Sequence, residues 1–121
     1  MVKTHYQDLH LFGFCKSSST WRVRVSLAAK GLQFEYHSID ILHGESKKED
    51  FTNAINSMKQ IPVLEFMDSH TTDGKRIRII QSLAIIEFIE EAFSGSGNSL
   101  LPQDVVDRAR VREIAGNHSL F

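Results

Sequence analysis

The chain has 121 residues, a length that suits one domain and is enough to bury roughly two-thirds of its unfolded surface. A hydrophobic fraction of 41%, a charged fraction of 24% and a net charge of -1 are ordinary for a globular protein and leave no footprint for nucleic acid or an anionic membrane. The single cysteine, Cys15, excludes an internal disulfide, a CxxC redox pair and a multi-cysteine metal site; the polar start Met1 to Leu11 and the lack of a long apolar run make a reducing cytosol the expected location, with no membrane partner.

Leu9 to Phe14 is a short apolar run that reads as a buried strand, with Cys15 as a core residue at its end. After the polar cluster Lys16 to Thr20, a helical pattern runs from Trp21 to Lys30. Trp21, Val25 and Ala28 share one face, Val23 and Leu27 lie on an adjoining stripe, and Gly31 stands at the C-terminal cap. Phe34 to Ile41 alternates as a second strand, and two strands joined through a helix imply a parallel βαβ unit. Ser46 to Asn56 is a short helix or irregular segment. Ile61 to Phe66 is a third strand, and Ile77 to Ile80 a fourth, joined to the third through a turn-rich hairpin. Ser82 caps a largely buried helix from Leu83 to about Phe93; Ser94 to Ser99 reads as a flexible linker, and Asp104 to about Ser119 as a further helix. The order β-α-β-α-β-β-α, then linker and helix, is that of an α/β thioredoxin-like domain joined to something helical.

Chemistry-bearing residues fall at three places where such a fold assembles a site. Ser17, Ser18 and Ser19 lie between the first strand and its helix. Hydroxyls and N–H groups there can hold an anion such as a thiolate; the same serines also serve simply as turn and cap. Lowering a thiol by two pKa units takes roughly 2.7 kcal/mol, within reach of one or two donors and the helix dipole. Ile61-Pro62 is either a plain strand entrance or, with a cis bond, a point where the backbone of Ile61 is offered to a peptide-like ligand. Gln81-Ser82 opens the buried helix, where Ser82 can be the cap alone or can also hold a carboxylate. The six histidines show no ligand-like spacing, so no metal is expected.

Lys16-Ser17-Ser18-Ser19-Thr20-Trp21-Arg22-Val23-Arg24-Val25 resembles the Ser-Ser-Cys-Ser-Trp-Arg-Val-Arg signature of zeta-class glutathione transferases, the class that includes maleylacetoacetate isomerase. Asn56 to Pro62 is similar to the Asn-Pro-Met-Lys-Gln-Val-Pro of that family. Gln81 to Glu91 resembles its third-helix segment, and Leu100-Leu101-Pro102-Gln103-Asp104 follows in order. The resemblance implies a thioredoxin-like glutathione-binding domain over residues 1–97. Residues 98–121 would then be the linker and first helix of an all-helical domain of which only the start is present. It implies glutathione as cofactor, with Ser17 assisting the thiolate and Ser18 and Ser19 beside it, and Lys16 facing substrate carboxylates. Ile61 would bond the cysteinyl backbone beside a cis Pro62, and Gln81 and Ser82 would receive the γ-glutamyl end. The implied reaction is cis–trans isomerisation of maleylacetoacetate, a small unsaturated acid, in phenylalanine and tyrosine breakdown, and the implied assembly is a homodimer.

The chain also departs from the pattern. Ser19 replaces the signature cysteine, Lys16 replaces an arginine and so loses the bidentate fork, and the hairpin is longer near Ser69 to Lys75. With Phe121 just after the first helix of the second domain, exposed apolar surface is expected on that helix. A non-catalytic protein that only binds glutathione or a relative is the other reading. A thioredoxin or glutaredoxin is excluded by the missing CxxC.

Overall fold

A computed structural model describes residues 5–39 and 61–119, with side chains described through residue 115. The elements are β1 (Tyr6–Gly13), α1 (Ser18–Ala29), β2 (Glu35–Ser38), β3 (Val63–Asp68), β4 (Arg76–Ile80), α2 (Ser82–Ala92) and α3 (Val105–Ser119). The segment expected to be helical around Ser46 to Asn56 lies outside the described residues.

The strands form one sheet in the order β2-β1-β3-β4. β1 and β2 are parallel, as the βαβ reading expects, while β3 runs antiparallel to both β1 and β4. Side chains alternate across a strand, so Leu9 and Leu11 of β1 and Leu64 and Phe66 of β3 face one side. There they meet Val23 and Leu27 of α1 and Ile85 and Ile89 of α2 in a single core. Phe66 lies parallel to Phe88 of α2 with centroids 4.6 Å apart, and Tyr6 meets both rings edge-on.

The inward face of α1 is Thr20, Val23, Leu27 and Lys30, at spacings of three and four residues. Trp21 and Val25, which sequence periodicity equally allowed to face inward, are 47% and 62% exposed. Lys30 is buried at the C-cap and donates to Oε1 of Glu90 on α2 at 2.8 Å; Glu90 also accepts from the backbone N–H of Leu100. Gly31 follows at φ 68°, the left-handed cap expected of it.

The Ser/Gly stretch that composition marks as a flexible linker is laid against the end of α1. Asn98 N–H donates to the Ala29 carbonyl at 2.9 Å and Ser96 Oγ to the Lys30 carbonyl at 3.0 Å. A Cβ on Gly97 would sit 2.5 Å from the Lys30 carbonyl carbon, so only glycine permits this approach.

Candidate functional site

Strand register brings the three sequence-predicted pieces to one end of the sheet. Phe12 of β1 pairs with Val63 of β3, and Val63 pairs in turn with Ile80 of β4. Ile61-Pro62, just before β3, therefore lies between the exit of β1, which leads to Ser17, and the exit of β4, which leads to Gln81 and Ser82. The Ile61-Pro62 bond is cis, the less common of the alternatives open from sequence. Pro62 is buried and Ile61 half-buried.

Ser17 is the N-cap of α1. Its Oγ accepts from Thr20 N–H at 3.3 Å, and its carbonyl accepts from Trp21 N–H at 3.1 Å. Capping uses a lone pair and leaves the Ser17 O–H available as a donor, so cap and anion-binding roles are compatible. The preceding turn is tight: Phe14 N–H donates to Thr20 Oγ1 at 3.2 Å, and a Cβ on Gly13 would come within 2.4 Å of the Thr20 methyl. Ser18 is exposed and Ser19 half-buried in the first turn of α1. Lys16 and Ser18, with Cys15, Trp21, Arg22 and Ile86, line an open cleft of about 660 Å³, which Ser17 and Ser19 do not line.

At the other helix start the structure corrects one expectation: the N-cap of α2 is Gln81, and Ser82 is the first helical residue. The chain passes from β4 into α2 through Gln81 alone, at φ 75° and ψ 118°. Backbone of this kind in a non-glycine residue costs about 1–3 kcal/mol and collects at ligand sites. Ser82 is 8% exposed, and its Oγ accepts from Arg22 Nη1 at 3.3 Å. Arg22 thus ties the start of α2 to the cleft beside α1, a link that a separation of 60 residues concealed in the sequence. Its hint was only the Trp-Arg-Val-Arg run.

Cys15 is exposed rather than in the core, because the chain has left β1 and is turning toward Ser17. Its carbonyl accepts from the Trp21 indole N–H, and Arg24 lies 4.3 Å from the Trp21 ring and 4.5 Å from the Tyr36 ring. The histidines also depart from the sequence reading: His10, Glu35 and His37 converge across β1 and β2. Among the described residues, no helix is long and apolar enough to cross a membrane.

Residues 7–91 match the family of the glutathione S-transferase N-terminal domain. The chain is 40% identical over 109 residues to glutathione S-transferase 1 of Dianthus caryophyllus, covering 90% of this chain and 44% of that protein. It is 41% identical over 107 residues to maleylacetoacetate isomerase of Mus musculus, covering 87% of this chain and 44% of the relative. Among solved structures, maleylacetoacetate isomerase of Anaeromyxobacter dehalogenans 2CP-1 with glutathione bound in its active site superposes with a TM-score of 0.72 at 41% identity, covering 93% of this chain and 49% of that one. The chain spans less than half the length of these curated relatives.

Proposed function

Because the chain belongs to the glutathione S-transferase family through its N-terminal domain, we propose that it is the glutathione-holding part of a zeta-class enzyme that isomerises maleylacetoacetate to fumarylacetoacetate. The observation that carries this reading is the meeting of two helix N-termini and the Ile61-Pro62 corner at one end of the sheet. A tripeptide thiol with a carboxylate at each end fits such a site: N–H groups at the start of α2 for one carboxylate, backbone at Ile61 for the middle residue, and the start of α1 for the sulfur.

In this assignment Gln81 and Ser82 receive the γ-glutamyl end. Ser82 Oγ already accepts from Arg22, so its own proton is the one offered to the carboxylate. Ser17 donates its proton to the thiolate, Ser18 and Ser19 lie beside it in the first turn, and Lys16 in the cleft supplies charge for substrate carboxylates. Glutathione held by these residues would supply the thiolate nucleophile for reversible addition to the double bond, the chemistry that permits cis–trans rotation. The protein keeps the thiol ionised and the partners aligned.

The same reading makes residues 1–97 the glutathione-binding unit and 98–121 the linker and start of a helical domain. It assigns the protein to tyrosine breakdown in the cytosol as a homodimer. The alternative, glutathione binding without turnover, is separated from it by assaying isomerisation on the same preparation that binds.

The test is a pH titration of the thiolate absorption of bound glutathione. The unmodified chain lowers the thiol from its free value near 8.5 by about one to two units. Ser17→Ala returns it toward that value, while Ser19→Ala changes it little. Equal effects of the two substitutions, or an unshifted thiol in the unmodified chain, would contradict the assigned roles.

A further inference from the structure

We propose that His10, His37 and Glu35 form a binding site for a divalent transition-metal ion of the zinc type, on the face of the sheet away from α1 and α2. The placement follows from strand pairing. β1 and β2 are parallel with His10 opposite Glu35 and Phe12 opposite His37. Leu9 and Leu11 of β1, and Tyr36 of β2, point toward the helices. By alternation His10, Glu35 and His37 share the other face.

The ligand atoms have the right chemistry and the right separations. His10 Nδ1 lies 2.9 Å from His37 Nε2 and 3.5 Å from Glu35 Oε2, and His37 Nε2 lies 4.0 Å from Glu35 Oε1. Ligands of a tetrahedral ion with bonds of about 2.0–2.1 Å lie roughly 3.3 Å apart, a value these distances bracket. Two imidazoles and a carboxylate suit zinc and its neighbours rather than magnesium or calcium, and three protein ligands leave a fourth position open. The side chains of His10 and His37 are 19% and 33% exposed, so the ion would be partly shielded yet reachable.

The surroundings orient His10 for this role. Its second nitrogen, Nε2, lies 3.0 Å from Asp8 Oδ1, the carboxylate–histidine arrangement that fixes a tautomer and leaves the other nitrogen as a lone-pair donor. Asp8 is itself fixed at a bulge between Gln7 and His10, at φ 57°, where Arg76 donates to its Oδ2 at 2.8 Å and to its carbonyl at 2.7 Å. Glu65, opposite His10 on β3, is taken up by Arg76 and Arg78, which leaves Glu35 as the carboxylate ligand. Without an ion, one imidazole proton must sit between His10 and His37. Binding an ion there requires His37 to carry its proton on Nδ1.

The measurement is calorimetric titration of the complete chain, free of added histidines, with zinc and separately with magnesium. Circular dichroism on every variant establishes that it is folded. One zinc per chain is expected, without magnesium binding. His37→Gln should weaken zinc by at least about 100-fold, the upper end of what losing a mere orienting partner costs, and Asp8→Asn by about 10- to 100-fold. Glu35→Gln, at a side chain 67% exposed, tests the same ligand set without risk to the core and should also weaken binding. No saturable zinc uptake by the folded chain, or unchanged affinity in both His37→Gln and Glu35→Gln, would overturn the proposal.

Discussion

Between Ile80, the last residue of β4, and Ser82, the first of α2, a single residue reverses the chain, and Gln81 does so at φ 75°. A glycine would adopt this backbone without steric cost; in the proposed site the Gln81 side chain instead meets the γ-glutamyl end. The expected outcome of Gln81→Gly is a melting temperature equal to or above that of the unmodified chain, together with weaker glutathione binding. Thermal denaturation and calorimetry on the same samples test both halves. A loss of stability with unchanged affinity would show that the side chain serves the fold instead. Ser17 was legible as a helix cap and Pro62 as a residue that accommodates a cis bond, because that chemistry is written into the residue type. Which residue caps α2 was not legible, since either Gln81 or Ser82 can precede the helix until the end of β4 is known.

At the scale of elements, the strands, the parallel β1–β2 pair and the β3–β4 hairpin followed from short apolar runs, the helix between the first two and the turn-rich stretch, whereas the antiparallel β1–β3 pairing did not. The inward face of α1 did not, because Trp21-Arg22-Val23-Arg24-Val25 places apolar residues on two stripes and only packing against α2 selects Val23 and Leu27. The Lys30–Glu90 pair was equally hidden, as its members lie 60 positions apart. Their side chains are 1% and 9% exposed, so removing one partner leaves the other buried without a counter-charge. That costs about 3–5 kcal/mol. Burial alone would raise the Glu90 carboxyl, but Lys30 and the Leu100 N–H outweigh it and hold the group below the usual carboxylate range. With the folded value depressed, this stabilisation is present above the unfolded value near 4.3 and is lost as pH falls through the folded one. Glu90→Gln is therefore expected to lower the urea midpoint strongly at pH 7 and progressively less below about pH 4. A difference that stays constant down to pH 3 would contradict that expectation.

Over the whole molecule, the α/β unit and α3 differ in how their apolar residues are spent. β1, β3, α1 and α2 share one core, whereas Val105, Val106 and Ile114 of α3 are 80%, 61% and 62% exposed, the exposed apolar surface expected on that helix. α3 meets α2 around a small apolar cavity lined by Leu83, Ile86, Leu101 and Val111, with Arg112 donating to Glu87 at 2.9 Å. The convergence of His10, Glu35 and His37 belongs to this scale too: sequence spacing reveals metal ligands on one helix or loop, but here strand pairing makes the cluster. The proposed glutathione site likewise depends on the assembled sheet end rather than on any one segment.

The most direct measurement is calorimetric titration of the folded chain with glutathione, alongside Ser82→Ala. Saturable binding of one glutathione per chain, weakened in the variant, is the predicted result. A chain folded by circular dichroism that takes up no glutathione would contradict the assignment of this sheet end as its site.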